Sequence, residues 1–179
     1  LLLAHPDVEH ALQSAFLLVA MWVVWMWTTW ATNWLDVERT PTRIMLFLVM
    51  AGGLILAAAI PHAFDERGLA FAATYVAIQI GRTAFLVHAL RKGKANERRN
   101  FERVLVYFVV SGALWIAGGL SEGPARWAFW LSALLLDMIS PLWGFWTPWM
   151  GKSTTEDWRV DPEHMAERSG LFMIIALGE

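Results

Sequence analysis

Arg82 and Asp137 stand in stretches where ionisable residues are rare. Each lies well inside an apolar run of membrane-spanning length. An ionisable group at such a depth is costly unless it meets a partner, a ligand or water, so each marks a candidate site. Arg82 comes 14 residues after Gly68, and Asp137 comes 13 after Pro124. At about 1.5 Å per residue, both lie about 20 Å from the start of their segments. If those segments run the same way side by side, guanidinium and carboxylate share one depth and can pair directly. A centre of that kind can bind a proton, an ion or a small polar solute. It can equally be a static clamp that locks the helices in register. Glu179, about 18 Å along a further apolar segment, would add a second carboxylate at the same level.

The elements that must position these residues follow from composition. The chain has 179 residues, 57% hydrophobic and 17% charged, with 12 Trp, 10 Phe and 8 Met. Soluble domains carry nearer 45–50% apolar and about 25% charged residues. There is no Cys, which excludes disulfides and thiolate metal sites, and a net charge of −2 argues against a nucleic-acid binder. A membrane helix needs about 20 mostly apolar residues. Segments of that kind lie near 9–35, 41–64, 68–91, 100–121 and 124–147, with a sixth beginning near 166. Pro61 and Pro141 are expected to end or bend their helices. The expectation is an all-α polytopic transmembrane bundle of one domain, 1–179, with five complete spans and a truncated sixth. The chain opens Leu1-Leu2-Leu3-Ala4 and stops at Glu179 within an apolar run, which suggests a fragment of a larger protein.

Basic residues set the orientation. Loops 36–43, 91–103 and 148–168 carry eleven Lys and Arg, from Arg39 to Arg168, whereas the other side has Arg67 and Arg126. The basic loops are therefore expected in the cytoplasm, in a bacterial inner membrane. The lipid bilayer is the one expected partner, beside a small solute or ion.

On the first span, Thr28, Thr29, Thr32 and Asn33 share one helical face, and Trp27, Trp30 and Trp34 cluster opposite. The polar stripe either hydrogen-bonds a neighbouring helix or lines a path to the centre. Ala73, Ala77 and Gly81 form a small-residue ridge expected to pack closely on another helix. Trp127 and Trp130 at one end, and Trp143, Trp146 and Trp149 at the other, read as interface anchors. No nucleophile–base pair, phosphate loop or metal-ligand spacing appears, so no catalytic residue, cofactor or metal is expected, and the enzyme reading is disfavoured.

Two motifs suggest a family. Trp25-Met26-Trp27-Thr28-Thr29-Trp30-Ala31-Thr32-Asn33-Trp34-Leu35-Asp36 resembles the bacterial low temperature requirement A family, as does Glu167-Arg168-Ser169-Gly170-Leu171-Phe172 running on to Gly178-Glu179. Between them, Gln79-Ile80-Gly81-Arg82-Thr83 and Trp115-Ile116-Ala117-Gly118-Gly119 are similar to further family segments. The resemblance implies a longer multi-pass membrane protein and supplies no catalytic residues. The preferred function is transport or binding of a small solute, ion or proton at Arg82, Asp137 and Glu179, with Thr28, Thr32 and Asn33 lining access. The alternatives are a structural or sensory bundle, and last a membrane enzyme acting on a lipid-linked substrate.

Overall fold

The computed structural model describes residues 7–93 and 95–153, together with Trp158, Gly170, Leu171, Ile174 and Gly178. Among the described residues the architecture is all-α: α1 (Val8–Trp34), α2 (Thr40–Ala59), α3 (Gly68–Ala89), α4 (Ala95–Leu120) and α5 (Gly123–Ile139), with no β-strand. The sixth span expected from residue 166 onward, and with it Glu179, falls almost wholly outside the described residues.

Local chemistry explains the boundaries. Asp7 caps α1, its Oδ1 accepting the His10 backbone N–H at 2.9 Å. Pro61 ends α2 at Ala59 and leaves one 3-10 turn, Ile60–His62. Pro141 acts alike: α5 stops at Ile139, the 3-10 turn Ser140–Trp143 follows, and Gly144 turns the chain back with φ 61°. The span expected to reach residue 147 is thus a 17-residue helix and a turn. The basic segment 91–103, expected as a loop, is largely helical. Its Leu90–Lys92 turn leads into α4, whose first turns carry an Arg98–Glu102 ion pair at 3.1 Å one helical turn apart.

Among the described residues, four helical segments are long and apolar enough to cross a membrane: α1, α2 with its 3-10 turn, α3 and α4. The packing is centred on α3, which contacts α1, α2 and α4, while α5 lies against α4 and α1. Peripheral α2 leaves Phe47, Leu48, Met50 and Leu54 uncovered, as a lipid-facing helix would.

The core is an aromatic column. Phe16, Phe64, Phe71, Trp115, Trp127 and Trp130 meet with ring centroids between 4.5 and 6.2 Å. Edge-to-face and tilted pairs of this kind contribute about 0.5–1.5 kcal/mol each beyond area burial. Trp130, expected as an interface anchor, is 0% exposed instead, and its indole N–H donates to the Trp115 carbonyl at 3.0 Å. It fits because Gly118 presents no side chain: a Cβ there would overlap the indole. The Trp face of α1 is also packed, Trp27 against Phe108 and Phe145, and Trp34 against Phe101. Trp143, Trp146 and Trp149 are exposed.

Candidate functional site

Three residues of α3 begin the site. Tyr75, Gln79 and Arg82 follow one another at i, i+4 and i+7, which places them on one helical face. That face points into the bundle, and all three are buried. α1 brings Val24 and Thr28 to one end of the row. α4 brings Ser111 and Trp115 and α5 brings Asp137 to the other.

Arg82 and Asp137 are each 2% exposed, yet they form no direct ion pair among the described residues. The pairing expected from their matched depth is replaced by a relay. Arg82 donates to the Val24 carbonyl at 3.2 Å, to Thr28 Oγ1 at 3.0 Å, and to Gln79 Oε1. Gln79 Nε2 donates to the Tyr75 hydroxyl at 3.4 Å, and that hydroxyl donates to Asp137 Oδ2 at 3.2 Å. The indole N–H of Trp115 donates to the same Oδ2 at 3.2 Å. The physical reason is reach. Arg82 sits two turns along α3 from Tyr75 and extends toward α1, so the intervening polar side chains span the gap.

The direction of the relay is fixed by chemistry. A guanidinium only donates and an ionised carboxylate only accepts. Gln79 must therefore turn its oxygen to Arg82 and its amide to Tyr75, which leaves the phenol proton for Asp137. Thr28 takes part because its own proton goes back to the Val24 carbonyl at 2.8 Å, freeing Oγ1 to accept from Arg82.

The two ends differ in how well they are satisfied. Arg82 has three acceptors. Asp137 has two donors on Oδ2, whereas Oδ1 is buried without a close hydrogen bond among the described residues, and Ser111 of α4 adds a hydrogen-bonding hydroxyl beside the carboxylate.

Of the other residues expected in the centre, Thr32 donates to the Thr29 carbonyl of its own helix at 2.7 Å, and Asn33 is exposed near the end of α1. Neither reaches the relay, because one to one-and-a-half turns beyond Thr28 carries them past Arg82. Tyr75, Gln79, Ser111 and Trp115 were missed. Their signal was their spacing: Gln79 and Tyr75 lie on the Arg82 face of α3, and Ser111 and Trp115 lie one turn apart on α4.

Among the described residues, a groove and a cleft lie at the sides of the bundle. A lateral groove of about 860 Å³ between α2 and α3 is walled by Ile44, Leu48, Ala73, Ala77 and Gly81, with Arg82 at its side. The small-residue ridge expected to be packed is therefore open: a Cβ on Gly81 would meet nothing within 4 Å. A cleft of about 770 Å³ at the opposite end from the basic segments is lined by Glu9, Gln13, Asp65, Glu66, Glu122 and Trp127. Asp137 lines neither.

A second buried arginine frames the site. Arg126 on α5 is 4% exposed. It donates to the Ser121 and Gly118 carbonyls at 2.9 and 3.3 Å, and to those of Asp65 and Ala63 at 2.7 and 3.2 Å. It thus ties the turn after α2 to the end of α4, where carbonyls without helical partners attract a cation. Gly68 makes the room, since a Cβ would lie 2.6 Å from the guanidinium carbon.

An all-α bundle with several apolar helices of spanning length around a buried polar relay defines the class, a polytopic integral membrane protein. The family model described as bacterial low temperature requirement A protein matches residues 1–179, and the chain belongs to that family. It is 41% identical over 169 residues to an uncharacterized protein of Rhizobium meliloti (strain 1021). That match covers 94% of this chain and 41% of the relative, so the chain spans about two fifths of the relative's length. No solved structure matches it.

Proposed function

We propose that the polar centre of this membrane protein binds, and in the full-length protein passes, a small ion, proton or solute at mid-membrane depth. The membrane is the bacterial inner membrane, with 36–43, 91–103 and 148–168 on the cytoplasmic side, where their basic residues favour retention. The reading rests on one observation: a buried carboxylate, one oxygen of which has no close hydrogen bond among the described residues, held apart from its countercharge by two neutral side chains. A clamp selected only for strength is best served by direct pairing and full satisfaction, because lone buried charges and orphan acceptors are costly. Sites near the bilayer midplane are the common arrangement in transporters. Glu179 and the segments found in longer relatives would complete the path.

The structural alternative is favoured by Arg82 alone, whose three acceptors tether α3 to α1 as a clamp would. The full-length protein in sealed vesicles separates the two readings. Flux of a proton, alkali cation or small solute that falls at least tenfold in Arg82→Gln and Asp137→Asn supports the site. Absence of flux for every species in the wild type abandons transport in favour of the clamp.

A further inference from the structure

Building on that reading of the centre, we propose that its ligand is a proton, taken up and released at Asp137 Oδ1. The groups around the carboxylate argue for this choice. Oδ2 is filled by two donors, Tyr75 and Trp115, whereas Oδ1 has no close hydrogen bond among the described residues and Ser111 is the further hydroxyl beside the carboxylate. A hard metal cation requires about six oxygen ligands. Here Trp115 offers an N–H, and the carbonyls of α3 and α4 around Tyr75 and Ser111 lie within continuous helices. Among the described residues the side-chain oxygens beside the carboxylate are those of Ser111 and Tyr75, too few to complete such a shell. Among the described residues no three His, Asp or Glu side chains converge to hold a metal.

Charge points the same way. Arg82 and Asp137 cancel, so a proton leaves the centre at +1 and a divalent ion would leave it at +2 in an apolar surround. An anion would meet a carboxylate that can only accept. The step itself is one O–H bond formed on Oδ1 with a proton from water, with nothing oxidised or reduced.

The relay decides where that proton travels. Gln79 is held in one orientation and Arg82 keeps its protons, so the chain toward α1 cannot hand a proton on. Exchange therefore occurs at the carboxylate itself, beside Ser111 of α4, and the relay senses the result. When Oδ1 is protonated, Oδ2 becomes a weaker acceptor for Tyr75. The change passes through Gln79 to the tether between Arg82 and α1. The titratable or charged groups that face Asp137 are Tyr75 and, through the relay, Arg82, both on α3. α4 presents Ser111 and Trp115, and α1 presents no titratable group to it among the described residues.

The test is infrared difference spectroscopy on the full-length protein in liposomes as pH is stepped, with proton and cation flux measured on the same vesicles. A protonated-carboxyl C=O band is expected to appear on acidification, to be lost in Asp137→Asn and to shift in Asp137→Glu and Ser111→Ala. Tyr75→Phe is expected to move its midpoint. The two milder α3 and α4 variants keep the assignment testable if Asp137→Asn fails to fold. The proposal is overturned if no titrating band responds to any of these changes. It is also overturned if sodium, potassium, magnesium or calcium alters the carboxylate band at fixed pH while protons do not. A titrating band without flux upholds the proton and removes transport. Cation flux abolished by Asp137→Asn with no titrating band does the reverse.

Discussion

Arg126 and Arg82 are both buried in an apolar bundle, one near the end that carries the α4–α5 turn and one in the middle. Arg126 reaches four backbone carbonyls, which exist wherever helices end, and a Trp130 ring at 5.7 Å covers its guanidinium. Its surroundings hold no titrating side chain among these partners, so nothing there changes state. Arg82, in the middle of α3, finds one backbone carbonyl, that of Val24, and otherwise relies on side chains, namely Thr28, Gln79 and, through Tyr75, a carboxylate. The contrast teaches that two equally buried cations can serve different ends. Partners made of backbone make a fastener, and partners made of side chains make a centre whose hydrogen bonds depend on one acid.

The largest effect is expected at the fastener. Arg126→Ala strips four carbonyls, those of Ala63 and Gly118 buried, of their donor and should lower stability by about 3–5 kcal/mol, the range for removing one partner of a buried charge interaction. Thermal melting of the detergent-purified protein checks this, and a melt within a degree or two of wild type would erase the contrast. Gly68→Ala should cost about 1–3 kcal/mol by displacing the guanidinium, and much less in an Arg126→Ala background. Additive losses in that cycle would show the two residues to be independent.

At the centre the expected losses are smaller and coupled. Arg82→Gln and Asp137→Asn should show an interaction energy of about 0.5–3 kcal/mol that disappears in a Gln79→Leu background, since Gln79 carries the link. Coupling that survives Gln79→Leu would mean a direct interaction between the two charges. The smallest effect separates two threonines on one helix. Thr28→Val should cost about 1 kcal/mol through the lost acceptor for Arg82. Thr32→Val, whose hydroxyl serves its own helix, should stay within about 0.5 kcal/mol. Equal melts for the two variants would remove Thr28 from the site.

Much of the architecture was legible from composition. Apolar runs of spanning length, Pro61, Pro141 and the clustered Lys and Arg marked the helices and their punctuation, because those signals are local. The segment 91–103 misled because a charged stretch reads as a loop, whereas its Arg98–Glu102 pair suits a helix that projects past the apolar zone. Trp130 misled in the opposite direction, since an aromatic near a helix end reads as an anchor until Gly118 is seen to receive it.

The candidate site shows where such reading stops. Arg82 and Asp137 stood out at once, because an ion in an apolar run is conspicuous by type alone. Depth arithmetic placed them on one level but could not choose between contact and separation. That choice depended on the turn of α3 about its axis, which aims Tyr75, Gln79 and Arg82 across toward α5 and α1 in sequence. Chain order therefore dictated which residues are expensive to bury and how far along each helix they lie, since rise per residue and hydropathy are properties of single segments. Helix packing dictated which neighbours meet that expense, because hydrogen bonds act over about 3 Å and only the assembled bundle brings 24, 28, 111, 115 and 137 within that distance of α3 or of one another.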